Sequence, residues 1–213
     1  MAVALFVVGV FSAVVLLGLL AWTWWSPQLR IWPPPTADSW QSNLFWPLFR
    51  VLNVAAFATA IADNSGYLEL PSYVRGVAVV ALGISGVAYA YALLALGKRN
   101  TYCNAAGLVT HGIYRWTRNP QYSTVIPVYA SLAVAADSGM TYVLCAAMVA
   151  VYVMMALLEE PWLEAAYGDV YRRYRRRVPR FFNWHRARVL IGWTVRSLLR
   201  QMQDRFQMQG QAR

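Results

Sequence analysis

The chain has 213 residues, of which 59% are hydrophobic and ten are tryptophan, with a mean hydropathy of +0.38. That composition excludes an ordinary soluble domain of this size and indicates an integral membrane protein. The net charge of +10 does not point to nucleic acid, because the basic residues concentrate from Arg172 to Arg213 and otherwise flank span ends, as positive-inside orientation and attraction to anionic lipid headgroups require.

Val3 to Trp22 is an apolar run of about the 20 residues needed to cross hydrocarbon, and Trp22, Trp24 and Trp25 supply an interfacial aromatic belt at its end. No basic region precedes it, so it is expected to be retained rather than cleaved as a signal peptide. Ser26 to Ser42 carries Arg30 and the run Pro33-Pro34-Pro35, which cannot be helical throughout and reads as an extended interfacial connection.

Leu44 to Ala62 is a weaker second span, interrupted by Pro47, Arg50 and Asn53. Arg50 either snorkels to the nearby surface or faces the bundle interior near a ligand. The loop Asp63 to Ser72 carries Asp63 and Glu69 and is expected outside. Val74 to Leu96 is the third span, in which Gly76, Gly83, Ser85 and Gly86 are expected to form a small-residue stripe for close helix packing. Lys98 and Arg99 then open a basic loop expected on the cytoplasmic side.

The fourth span, Tyr122 to Ala136, is short and contains Pro127; the fifth runs from Met140 to Leu158. Five crossings place the N-terminus outside and the C-terminus inside. Cys103, in a polar loop, and Cys145, within the fifth span, differ in depth and are not expected to form a disulfide; neither clusters with His111 or His185, so no metal is expected.

Two polar segments border the last two spans: Gly112 to Tyr122, with Arg115, Arg118, Asn119 and Pro120, and Glu159-Glu160-Pro161-Trp162-Leu163. Spans joined by Asp137-Ser138-Gly139 as an antiparallel hairpin bring both segments out on one side of the membrane. Two adjacent carboxylates at a helix C-terminal end oppose the macrodipole by a few tenths to about 1 kcal/mol. The pair therefore either marks the membrane boundary or holds a cation, from Arg118, Arg115 or a positively charged ligand.

Beyond Pro161, Leu163, Tyr167, Tyr171 and Tyr174 make one aromatic-apolar stripe of a basic helix, read as lying on anionic headgroups. Ile191, Val195, Leu198, Leu199, Met202 and Phe206 repeat the pattern as a second amphipathic surface helix. The fold class is thus all-α: a polytopic membrane helical bundle of about five transmembrane helices with C-terminal amphipathic surface helices.

The order Leu108-Val109-x-x-Gly112-x-Tyr114, Arg118-Asn119-Pro120-x-Tyr122 and Glu159-Glu160-x-x-Leu163-x-x-x-Tyr167-Gly168-x-x-Tyr171-x-x-Tyr174-x-x-x-Val178-Pro179-Arg180-Phe181 resembles the isoprenylcysteine carboxyl methyltransferase and phospholipid methyltransferase superfamily of integral membrane enzymes. The resemblance divides the chain into N-terminal spans (1–96), a methyltransferase-like cofactor region with the helical hairpin (97–182) and a basic amphipathic tail (183–213). It implies S-adenosylmethionine bound at the cytoplasmic end of the bundle by Tyr114, Asn119, Tyr122, Glu159 and Glu160, with a lipophilic small molecule or lipid as acceptor. Arg118 would orient the turn and partner a carboxylate. Many members carry His where this chain has Asn119, which cannot titrate near neutrality or act as a general base.

No catalytic residue is assigned; Arg118 and Arg173 are candidates, since Arg172 and Arg173 reach either an acidic head group of the acceptor or lipid phosphate. Two other readings stand beside the methyltransferase: an NADPH-dependent membrane reductase related to sterol reductases, and a non-catalytic membrane partner on the same scaffold. A prenylcysteine carboxylate, a phospholipid amine and a thiol would each use a similar cofactor site.

Overall fold

Among the described residues the apolar stretches form five α-helices: α1 (Ala2–Trp25), α2 (Trp40–Ala62), α3 (Ser72–Leu96), α4 (Pro120–Ala136) and α5 (Gly139–Arg177), with a short 3-10 helix at Gly112–Arg115. The structure, a computed structural model, describes residues 1–97 and 107–181, and among these there is no strand. The second amphipathic helix, Cys103 and His185 lie outside the described residues.

Among the described residues four helices, α1, α2, α3 and α5, are long and apolar enough to cross a membrane, as an integral membrane protein requires. The 17 residues of α4 rise only about 26 Å against a hydrocarbon thickness of about 30 Å. Conversely, the 39 residues of α5 amount to about 58 Å of helix along its bent path, roughly twice that thickness. Its apolar part ends at Leu158.

Helix α5 was expected to stop near Leu158, yet it continues through Pro161, and its one non-helical residue is Gly168 (φ 52°, ψ −128°). Glycine tolerates that left-handed φ without a Cβ clash. The bend it introduces turns the basic end of α5 back toward the α4 N-terminus, where Arg118 N donates to Pro179 O at 2.9 Å.

Helices α1, α2, α4 and α5 enclose the core, centred on Leu16, Leu20, Leu52, Ala56, Leu144 and Met148, while α3 lies against α4. The small-residue stripe expected on α3 plays no part in this: a Cβ added at Gly76, Gly83 or Gly86 meets nothing within 4 Å. The close approach is made instead by Gly9 of α1, where an added Cβ would lie 2.8 Å from Leu144 Cδ2 and 2.9 Å from Ala55 Cβ. Gly9→Val is therefore expected to destabilise the bundle by about 1–3 kcal/mol through overpacking, whereas Gly83→Ala should be neutral or slightly stabilising. Thermal unfolding of the detergent-solubilised variants checks both.

The hairpin between α4 and α5 turns at Asp137, which adopts the left-handed conformation (φ 50°) that aspartate accepts more readily than bulkier residues. Its carboxylate is buried and accepts from Leu68 N and Leu70 N, both at 3.0 Å, and its carbonyl accepts from Tyr67 N at 2.8 Å. Arg75 Nε donates to Ala135 O at 3.1 Å and Ser138 Oγ donates to Asp63. These bonds hold the loop between α2 and α3 against the hairpin turn, so both lie at one end of the bundle. The polar segments before α4 and within α5 lie at the other.

Candidate active site

Adjacent residues on an α-helix point about 100° apart, so Glu159 and Glu160 cannot face the same way. The structure separates them. Glu159 lines a cleft bounded by the 3-10 helix, the start of α4 and the C-terminal half of α5. Glu160, 3% exposed, turns to the other side of α5, where two arginines hold it.

Arg118 Nη2 donates to Glu160 Oε1 at 2.8 Å, while Arg180 donates through Nε to Oε1 at 2.9 Å and through Nη2 to Oε2 at 2.7 Å. The Arg180 bond is the two-pronged guanidinium–carboxylate geometry, stronger than a single charged contact. The Arg118 Nη1 also donates to Arg175 O at 2.9 Å. The expectation that a cation offsets the acidic pair is met by Arg118; Arg115, the other arginine considered, is exposed. Arg180 was not anticipated as a partner, although it stands in the Val178-Pro179-Arg180-Phe181 motif.

The turn before α4 is fixed to the same segment. Thr117 Oγ1 donates to Arg180 O at 2.9 Å, Asn119 Nδ2 donates to the same carbonyl at 3.2 Å, and Asn119 N donates to Thr117 Oγ1 at 3.2 Å. Proline at the first position of α4 fits there because its missing N–H would find no helical partner. Asn119 is thereby held rigidly while it lines the cleft.

Glu159 is anchored by Tyr122, whose hydroxyl donates to Glu159 Oε2 at 2.6 Å. Burial pushes the Glu159 carboxyl up to about 7; the Tyr122 bond opposes that rise and the neighbouring Glu160 charge adds to it. Unlike Glu160, Glu159 has no cationic side chain bound to it among the described residues. A half-buried carboxylate in this state suits a ligand bearing positive charge or hydroxyl donors.

Tyr114 also lines the cleft; burial pushes its hydroxyl pKa up, and the Glu159 charge adds to the rise. Tyr174 Oη donates to Tyr114 O at 2.7 Å, tying the far part of α5 to the 3-10 helix. The aromatic stripe read as a headgroup contact is the opposite wall: Leu163, Tyr167, Tyr171 and Tyr174 all line the cleft, with Trp162 beside them. Its period-of-four spacing was visible in the sequence, but spacing cannot say which surface a stripe covers.

Two buried donors at this wall, Tyr171 Oη and Arg118 Nε, have no hydrogen-bond partner among the described residues. Buried polar atoms seldom remain unpaired, and both residues line the cleft. Arg173 is exposed and does not line it, and Arg172 is engaged by Asp169 at 2.6 Å and Glu164 at 3.8 Å.

Of the residues named from the sequence, Tyr114, Asn119 and Glu159 thus converge on the cleft. Tyr122 supports Glu159 from the membrane side, where it lines a second cavity, and Glu160 is committed to Arg118 and Arg180. Among the described residues no three of His, Cys, Asp and Glu converge to hold a metal ion.

The family model for phospholipid methyltransferase matches residues 71–170, from the start of α3 to just past the Gly168 bend. No curated protein and no solved structure matches the chain. The matched region contains the hairpin, the acidic pair and most of the cleft lining, with Tyr171 and Tyr174 just beyond it, and over those residues the chain is similar to the phospholipid methyltransferase family of membrane enzymes.

Proposed function

We propose that the protein transfers a methyl group from S-adenosylmethionine to a lipophilic acceptor, with the cofactor in the cleft beside Glu159. The observation that carries this reading is the half-buried Glu159 carboxylate, held by Tyr122 at 2.6 Å and facing a cleft also lined by Tyr171 and Arg118, each with a donor unpartnered among the described residues. The residues fit the group: Glu159 for its positive charge or ribose hydroxyls, and Tyr171 Oη and Arg118 Nε for its acceptors. Trp162 and Tyr167 supply apolar faces.

When bound, the cofactor supplies an already activated methyl group. The chain's task is then to align the acceptor, exclude water and balance charge. Asn119 cannot take a proton, so the acceptor's nucleophile must arrive ionised or lose its proton elsewhere. Glu160, Arg118 and Arg180 position the walls. Glu160 is thus a positioning residue rather than a ligand of the cofactor.

The acceptor is assigned to a cavity on the membrane side of Tyr122, walled by Trp46 and Phe49 of α2, Tyr89 and Leu93 of α3, Tyr152 and Met155 of α5, and Trp32 in the connection before α2. Gln121 lines both this cavity and the cofactor cleft. Membrane depth and aromatic walls favour a lipid or prenyl-like acceptor over a soluble one. The site end is assigned to the cytoplasm, because Arg115, Arg118 and Arg172 to Arg177 gather there.

The test is methyl-labelled S-adenosylmethionine incubated with the purified protein and total lipid or small-molecule extracts. The label is expected in the organic phase. Leu93→Trp, which fills the acceptor cavity, should raise the acceptor KM about tenfold while leaving cofactor affinity within about twofold. No label in any fraction would overturn the activity.

A further inference from the structure

A third cavity lies between the α1–α2 connection and α5, at the end of the bundle away from the hairpin turn. Its walls are apolar at Trp24, Pro27, Pro33, Leu157, Leu158 and Pro161, and its one charged residue is Arg30. The depth is set by α1: the exposed Trp24 and Trp25 at its end mark the membrane interface. Arg30, five residues beyond α1, therefore stands at headgroup level, and Leu157 and Leu158 at the adjoining hydrocarbon.

The connection is built rather than slack. Ile31 N donates to Thr23 Oγ1 at 3.2 Å and Gln41 Nε2 donates to Leu29 O at 3.2 Å, anchoring both sides of Arg30. Arg30 itself has a left-handed backbone (φ 46°), its Nε donates to Pro33 O at 3.0 Å, and its guanidinium lies 5.7 Å from the Trp162 ring centroid. These contacts fix the guanidinium plane while its two terminal nitrogens have no partner among the described residues. A second donor is also unpaired: Trp32 Nε1, in a side chain 3% exposed that lines this cavity.

We infer that this cavity binds one anionic phospholipid, its phosphate on the terminal nitrogens of Arg30 and a chain against Leu157 and Leu158. Charge complementarity selects the occupant: a fixed guanidinium with no carboxylate in the wall attracts an anion, and apolar walls at the interface require that anion to carry a hydrocarbon tail. Trp162 is shared between this cavity and the cofactor cleft. Lipid occupancy therefore stiffens one wall of the cleft. The site does not depend on the methyl-transfer reading, because its anion-binding group is Arg30, outside the matched region, although Trp32 lines both this cavity and the one assigned to the acceptor.

Native mass spectrometry of the full chain in nonionic detergent, titrated with phosphatidylglycerol or phosphatidylcholine of identical chains, reads the site without activity. Retention of one phosphatidylglycerol with about tenfold preference over phosphatidylcholine is expected, falling to near parity in Arg30→Gln and largely kept in Arg30→Lys. Arg172→Gln, on the exposed face of α5, should keep the preference. Equal retention of the two lipids by the wild type, or an undiminished preference in Arg30→Gln, would overturn the assignment. Should Arg30→Gln not fold, Leu157→Trp, which fills the cavity, must abolish retention while Arg30 remains; retained preference there overturns it equally.

Discussion

Glu160→Gln is expected to be the most damaging single substitution outside the membrane core. It leaves Arg118, whose side chain is 9% exposed, and Arg180 facing a neutral amide. Breaking a buried ion pair by removing one partner costs about 3–5 kcal/mol, because the remaining charge is desolvated and uncompensated. The lower end applies, about 3 kcal/mol, since the Arg180 side chain is 39% exposed and can turn to water while Arg118 cannot. Arg180→Gln should cost markedly less, because Glu160 keeps Arg118. Thermal unfolding in detergent orders the two variants, and S-adenosylhomocysteine binding should fall with stability in Glu160→Gln as the turn at 117–119 loosens.

Glu159→Gln is expected to act oppositely: no loss of stability near neutral pH, a large loss of cofactor affinity. Hydrogen bonds to charged groups contribute about 1.5–3 kcal/mol, so binding should weaken about 10- to 100-fold. Tyr122→Phe, which frees Glu159 from its anchor, should produce a smaller loss. The pH dependence has a definite sign. With the Glu159 carboxyl raised to about 7, the ionised form is the minority at pH 6 and the majority at pH 8. Affinity for S-adenosylmethionine should thus rise about tenfold over those two units and become flat in Glu159→Gln.

The same raised value works against the folded state. A carboxyl that holds its proton more tightly when folded makes stability fall as pH rises from 4.5 toward 7. Glu159→Gln should remove that slope. Calorimetric titration across pH 6 to 8 and thermal scans from pH 4.5 to 7 separate the two effects.

The helical hairpin was legible because Asp137-Ser138-Gly139 interrupts two apolar runs, and one turn between two spans forces their outer ends to the same side. The joint placement of Tyr114, Asn119 and Glu159 follows from it. The division of labour between Glu159 and Glu160 was half legible: 100° per residue forbids a shared direction, but which one faces inward depends on where α5 sits against α4. Arg180 escaped notice because its approach to Glu160 requires the left-handed bend at Gly168 and the segment after it.

The small-residue rule misled on α3, where Gly76 and Gly83 face open space, because composition marks where helices can approach and not where they do. Gly9, a single glycine in a valine-rich run, carried no such signal. Nor did the stripe from Leu163 to Tyr174 disclose that it covers a cleft rather than lipid. An aromatic face looks the same in sequence whichever surface buries it.

The most direct test is a structure of the protein with S-adenosylhomocysteine bound. The account predicts the nucleoside between Glu159 and the Tyr171 wall, with Glu160 still held by Arg118 and Arg180. Ligand density in the cavity beside Arg30, or a ligand contacting Glu160 while Glu159 faces away, would contradict it.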